Sequence, residues 1–364
     1  FLANILVENN IFREKAIVKL LTSAKYPARN ISQNLADLRA QVAANETGVL
    51  ELRKIVRHFG LITVQSYMKH VQDNAKSAVQ NALKLLNSGK FKYLMDTGSQ
   101  ISVKISVNKK HRTATIDFTG TSCQSPDNFN APSAVCKAAV LYVFRTLVDD
   151  DIPLNSGCLE PLKIIVPENC LLNPSYPAAV VAGNVETSQC ITDALYGALG
   201  ILASAQGTMN NLTFGNDHFQ YYETICGGSG AGPNFNGTDA VQTHMTNSRL
   251  TDPEILENLA PVRVESFEIR SGSGGNGYHS GGAGTIRKLY FLERMTVAIL
   301  SLNRINSPHG LNGGKSGKRG RNWVRKSDGS IIHLKGTDQT ILDIGDTIII
   351  ETPGGGGFGK MIQN

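Results

Sequence analysis

The sequence predicts an α+β protein with a helical N-terminal section, a central mixed α/β part and a β-rich C-terminal domain. Three observations carry that expectation. Apolar residues recur at helical spacing up to about residue 88, alternate with polar residues at strand spacing from about residue 100, and form short runs between glycines beyond Pro261. A chain of 364 residues is long for one domain, and the sections expected are 1–95, 96–260 and 261–364.

The opening FLANILVENN reads like the interior of a helix. It has no Met, basic region or cleavage pattern, so it is no signal peptide, and the chain is expected to continue something longer. NLADLRAQVAANETGVLELRKIVRHFG places Leu35, Leu38, Val42, Val49, Leu52, Ile55, Val56 and Phe59 near helical period, with Gly60 as its stop. A second helix follows in LITVQSYMKHVQDNAKSAVQNALKLL. ISVKISV and TATIDFTG alternate around the turn NKKHR, as a hairpin with one polar face does. A buried helix is expected from about Ser133, then short apolar strands in KIIVP and PAAVVA. After GNVETSQ a long helix should run through CITDALYGALGILASAQ and stop at Gly207. PVRVESFEIR, IRKLYFL, TVAILSL, NWVRKSDGSIIHL and DTIIIETP then read as strands, with Asp328-Gly329 as a hairpin turn. GSGGNGYHSGGAG and TPGGGGFG read as tight turns. Neither precedes a helix, so neither meets the context of a nucleotide-binding loop.

Composition excludes several classes. The hydrophobic share of 41% and charged share of 18% suit a soluble globular chain, and no apolar run approaches the roughly 20 residues of a membrane span. The formal charge of +6 is mild, and the one basic tract, KSGKRGRNWVRK, holds a single aromatic, Trp323. It reads as a solvated loop, so neither nucleic acid nor membrane is expected as a partner. Six cysteines without CxxC spacing imply no zinc site and point to a reducing compartment, the cytoplasm, with Cys136 and Cys190 as buried thiols.

Three segments interrupt apolar or glycine sequence with dense polar side chains. GNVETSQ offers Asn184, Glu186, Thr187, Ser188 and Gln189; GTMNN offers Thr208, Asn210 and Asn211; HMTNSRLTDPE offers His244, Thr246, Asn247, Arg249 and Asp252. Buried polar groups need partners, so these segments bond one another or face a polar ligand. Glu186 at a helix start is expected to be kept charged by the helix dipole, accepting hydrogen bonds or helping to hold a cation. His244 could be a ligand, a base or a core residue. Ser188 lacks the G-x-S-x-G setting of a nucleophile elbow, and Cys226 with His244 matches no nucleophile signature.

Six ordered motifs, GNVETSQ, GTMNNLTFG, YYETICGGSGAG, DAVQTHMTNSRLTDPEILE, ESFEIRSGSGGNG and TPGGGGFG, resemble the hydantoinase B/oxoprolinase family. NLADLRAQVAAN, IDFTGTS, NAPSAV and DIPLNSGCL fit the same family, so the resemblance covers nearly the whole chain. It is strongest to the C-terminal part of the long, fused, ATP-dependent members that open 5-oxoproline to glutamate. The resemblance implies a cyclic-amide substrate, ATP-dependent activation in an A-type module or subunit, and ring opening in the B-type part. It also implies ATP held outside this chain, a divalent metal in a further N-terminal section, so that no metal ligands are expected in this chain, and a homo-oligomeric assembly. On that reading Glu186 and His244 are the catalytic candidates. Asn184, Thr187, Gln189, Asn210, Asn211, Asn247 and Arg249 are the substrate-binding candidates. The family's GGDG stands here as GGAG, with Ala283 in place of the acid, and its Tyr-Pro before VRVE stands as Ala260-Pro261. Alone the chain is not expected to turn over. The alternatives are a hydantoin-opening subunit, or a non-catalytic interface segment of such an enzyme.

Overall fold

The computed structural model describes residues 5–24, 27–28 and 30–361, and these divide into two compact units at Val71/Gln72. In the first unit β1 (Val7–Glu8) pairs antiparallel with β2 (Ile11–Phe12). Asn9 and Asn10 between them take φ of 48° and 63°, the left-handed pair that a two-residue hairpin turn requires and that Asn tolerates. The opening is therefore a hairpin from Val7 to Phe12, not a helix interior; residues 1–4 lie outside the described residues. α1 (Glu14–Thr22) follows. α2 (Ile31–Phe59) starts where the Asn30 side chain accepts the Gln33 amide and ends at Gly60, φ 82°, as its spacing predicted. The unit boundary falls within α3 (Leu61–Leu83).

The second unit begins with a sheet of β3 (Gly89–Leu94), β4 (Gln100–Asn108), β5 (Thr113–Asp117) and β6 (Leu162–Ile165) in that order, antiparallel except for the parallel pair β5/β6. The alternation in β4 buries Ile101, Val103 and Ile105 on one face, against α4 (Ser133–Thr146) and α5 (Ser188–Leu199). Close approach of β3 and α5 depends on glycine: a Cβ on Gly89 would stand 2.0 Å from the Ala198 carbonyl oxygen.

Two expectations fail around α5. PAAVVA forms no strand: Val181 is exposed, the Ala182 amide donates to the Asn128 carbonyl, and the segment passes into a π-helical turn, Gly183–Thr187. The helix then stops at Gly200, φ 72°, rather than Gly207. The segment beyond runs through the interior because Asp193 of α5 accepts the Ser204 hydroxyl and the Ala205 amide.

The remainder is β-rich, as the periodicity predicted. β7 (Asn211–Gly215) and β8 (Gln220–Thr224) come first, followed by the short helix α6 (Pro253–Leu259). Then come β9 (Val262–Arg270), β10 (Gly284–Phe291), β11 (Met295–Leu300), β12 (Arg321–Arg325), β13 (Ile331–Leu334), β14 (Thr337–Leu342) and β15 (Thr347–Glu351). They form two antiparallel sheets, in the orders β14-β11-β7-β8 and β13-β12-β15-β10-β9. Leu212, Phe214, Val297 and Ile299 from the first meet Leu289, Phe291, Val324, Ile348 and Ile350 from the second in one apolar core.

The four consecutive glycines of TPGGGGFG do not form a tight turn. None of residues 354–357 has a positive φ. A Cβ would stand 2.1 Å from the Ser273 oxygen at Gly354, 1.9 Å from that of Ser229 at Gly355 and 2.0 Å from that of His309 at Gly356. Their amides donate to the carbonyls of Lys318, Gly282, Ser204 and Lys315 in turn. Extended backbones pack directly on one another here, and only glycine leaves the room. Among the described residues, no helix is long and apolar enough to cross a membrane.

Candidate active site

Gly183 opens the π-helical turn because nothing larger fits: a Cβ there would stand 2.2 Å from the Asn130 carbonyl oxygen. The Thr187 hydroxyl pins the other end of the turn to the Phe129 carbonyl. A π turn inserts a residue into the helical spacing and re-aims the side chains that it carries. The side chain it delivers inward is Glu186, which has no exposed surface.

Glu186 Oε1 accepts the Met209 amide at 2.9 Å and Asn211 Nδ2 at 2.7 Å, whereas Oε2 has no hydrogen-bond partner among the described residues. Burial pushes its pKa up to about 8, against the opposing influence of Thr208, the Met209 amide, Arg304 and Asn211. The expectation that the helix dipole keeps this group charged is thereby corrected: desolvation of a fully buried carboxylate outweighs a partial charge at a helix start. Arg304, whose charge acts on Glu186, spends its guanidinium on Asn322 and the Leu302 carbonyl and does not bond the carboxylate. A carboxyl that titrates near neutrality inside a site fits proton or hydrogen-bond work better than a fixed charge does.

Asn211 connects Glu186 to open space. Its Oδ1 accepts the Tyr222 hydroxyl at 2.7 Å, and its Nδ2 also donates to the Leu300 carbonyl at 2.9 Å. Strand pairing sets Thr213 opposite Tyr222 and Ala298, and Asn211 opposite Leu300. Asn211, Thr213, Tyr222, Ala298 and Leu300 therefore share one face of the β14-β11-β7-β8 sheet, while Leu212 and Phe214 turn to the core. On that face lies a cleft of about 620 Å³, lined also by Asn128, Val181 and Val185. Its size suits a small-molecule ligand. Glu186 stands behind Asn211 and does not itself line the cleft.

The other candidates are placed apart from this cleft. Gln189 Nε2 donates to the Thr243 carbonyl, and Asn210, with φ 48°, donates to Gln206 Oε1 and the Ile225 carbonyl. The Ser188 hydroxyl bonds the Asn184 carbonyl, and the Asn184 side chain is exposed, as are those of Asn247 and Arg249. His244 belongs to a separate cluster. Its Nδ1 is 3.3 Å from the Tyr142 hydroxyl, its Nε2 is 3.5 Å from Asp193 Oδ1, and its ring lies 5.3 Å from that of Tyr196. Among the described residues, Glu186 and His244 share no hydrogen-bond partner.

Sequence reasoning missed Asp193, Tyr222, Asn128 and Arg304. Asp193 carried a usable signal, since it is the one acid in the apolar run CITDALYGAL, where a carboxylate must find donors. Among the described residues, no group of three or more His, Cys, Asp or Glu side chains is placed to hold a metal ion. The amides of glycines 354–357 already have carbonyl partners, so they do not form a phosphate cradle.

Comparison with known proteins agrees with this architecture. Over 98% of its length the chain is 47% identical to "5-oxoprolinase 1" of Arabidopsis thaliana and 44% identical to "5-oxoprolinase" of Dictyostelium discoideum. It spans only 30% and 28% of those two proteins. The crystal structure of an ATP-dependent caprolactamase from Pseudomonas jessenii has the same fold, with a TM-score of 0.82 at 21% identity over 98% of this chain and 65% of that one. The family model described as Hydantoinase B/oxoprolinase matches residues 3–361, so the fold and the ordered motifs have one explanation: the chain belongs to the hydantoinase B/oxoprolinase family.

Proposed function

We propose that this chain is the ring-opening, B-type part of a cytoplasmic, ATP-dependent enzyme that converts 5-oxoproline to glutamate. The observation that carries the reading is 47% identity to a 5-oxoprolinase across 98% of the chain. The cleft beside Asn211 gives the reading a location. Tyr222 and Asn211 are among its polar contacts for a lactam, with Asn128 and Thr213 beside them, and Val181, Val185 and Ala298 supply apolar surface for ring methylenes. Glu186 is a positioning residue: by accepting Asn211 Nδ2 it keeps Asn211 Oδ1 turned toward Tyr222. With a pKa of about 8 it carries a proton for most of the time at pH 7, which lowers the cost of keeping it buried. Phosphate and metal chemistry belong, on this reading, to an A-type module and a section outside this chain, within a homo-oligomer.

The test is turnover by the full-length protein. It should form glutamate from 5-oxoproline with concurrent release of ADP, and leave hydantoin largely untouched, while the isolated chain should release no ADP above background. Preferential opening of hydantoin would favour a hydantoinase subunit. Opening of neither ring would leave an interface role as the better account.

A further inference from the structure

Cys123 and Cys170 face each other across a short antiparallel bridge, and both are free thiols. The flanking bonds run from the Gln124 amide to the Asn169 carbonyl at 3.0 Å and from the Leu171 amide to the Ser122 carbonyl at 2.9 Å. That pattern makes the cysteines a non-hydrogen-bonded pair, in which opposed Cα atoms approach to about 4.5 Å and the side chains project from the same face. A disulfide needs Cα atoms about 4.4–6.8 Å apart, so the pair is within bonding range without backbone movement. The two thiols differ in access. Cys123 is exposed, whereas Cys170 is 4% exposed, and burial raises its pKa with a further contribution from Cys123.

We propose that Cys123 and Cys170 form a reversible redox modification site that closes to a disulfide by exchange with a low-molecular-weight disulfide. The exposed Cys123, as thiolate, attacks one sulfur of the small disulfide, forming a mixed disulfide and releasing one small thiolate. Cys170 then gives up its proton to solvent and attacks the Cys123 sulfur, and the second small thiolate leaves. The protein loses two electrons and two thiol protons. The small disulfide gains the electrons, and its two halves take up two protons as thiols.

The position of the pair gives the bond a structural consequence. Cys123 opens the segment that carries Asn128, Phe129 and Asn130. Asn128 lines the cleft, the Phe129 carbonyl accepts Thr187, and Asn130 donates to the Ala179 carbonyl. Cys170 opens the segment that leads into the π-helical turn. A bond between them staples the two chain segments that wall one side of the cleft. Cys136, buried on α4, feels the charge of Cys170 and is the competing thiol.

The experiment treats the folded protein with oxidised glutathione, quenches it in acid and counts free thiols after denaturation. Within this chain the count should fall from 6 to 4. A reducible cross-link should join the tryptic peptides that contain Cys123 and Cys170, and dithiothreitol should restore all the thiols. Cys136→Ser should keep the cross-link, whereas Cys123→Ser and Cys170→Ser should each abolish it. An unchanged thiol count, a glutathione adduct on Cys123 that never resolves, or a cross-link lost in Cys136→Ser but kept in Cys123→Ser would overturn the proposal.

Discussion

Two buried glutamates of the second unit, Glu223 and Glu186, are held in different ways. Glu223, on β8, meets the guanidinium of Arg287 with both oxygens, at 3.2 and 3.0 Å, and also accepts the Tyr221 hydroxyl. Both residues are buried, and the Arg287 guanidinium lies 5.3 Å from the centroid of Phe267. Glu186 has donors on one oxygen only, and the arginine whose charge it feels is bonded elsewhere. A carboxylate inside a protein can be stabilised by a matched cation, or it can keep its proton. Glu223 shows the first solution and Glu186 the second. The second leaves a group able to change state near neutral pH, beside a cleft.

Removing the cation should turn the structural site into an uncompensated one. Arg287→Met is expected to cost about 3–5 kcal/mol, read from the urea midpoint, because it strands Glu223 in the core. Arg287→Met combined with Glu223→Leu should recover most of that loss. A cost below about 1 kcal/mol for the single variant would mean that Glu223 finds other partners.

The corresponding experiment at Glu186 uses pH. Its native pKa is raised from 4.5 to about 8, so the folded state retains a proton that the unfolded state has already released. Stability from this group is therefore complete below about 4.5 and is lost as pH rises to about 8, at up to about 1.4 kcal/mol per pH unit. Glu186→Gln should flatten that slope, measured as denaturation midpoints at several pH values between these limits. Identical slopes in wild type and variant would show that Glu186 is not the titrating group.

The smallest effect is expected at Tyr222. Tyr222→Phe removes one hydrogen bond to Asn211 at a half-exposed position and should cost about 0.5–1.5 kcal/mol. It should leave the pH slope in place, because Glu186 keeps both of its donors.

Much of this architecture was legible where periodicity is strong. The spacing of Leu35 to Phe59 marked α2, and the alternation of Ile101, Val103 and Ile105 marked β4. Local pattern failed where tertiary context decided. PAAVVA has the composition of a strand, yet it leads into a π-helical turn that the sequence does not announce. The glycines of TPGGGGFG fit a turn and a backbone-packed interior equally well until the neighbouring chains are in place. At the site, Glu186 and Asn211 stood out as polar residues in apolar surroundings, although 25 positions separate them. Asn184, Asn247 and Arg249 carried the same polar signal from exposed positions, and sequence alone cannot separate the two cases. Tyr222 went unnoticed because a tyrosine in an alternating strand is unremarkable until its partner is known.

The central claim is that the Asn211 face of the cleft opens the ring, and Asn211→Ala in the full-length protein tests it most directly. The measurement is glutamate formed per ADP released, with 5-oxoproline as substrate. Continued 5-oxoproline-dependent ADP release would show that the variant is folded and that activation is intact. Our account then predicts at least a ~10-fold fall in glutamate per ADP, equivalent to about 1.4 kcal/mol of lost transition-state stabilisation. Glutamate formed at the wild-type ratio would contradict it and move the ring-opening site away from this cleft.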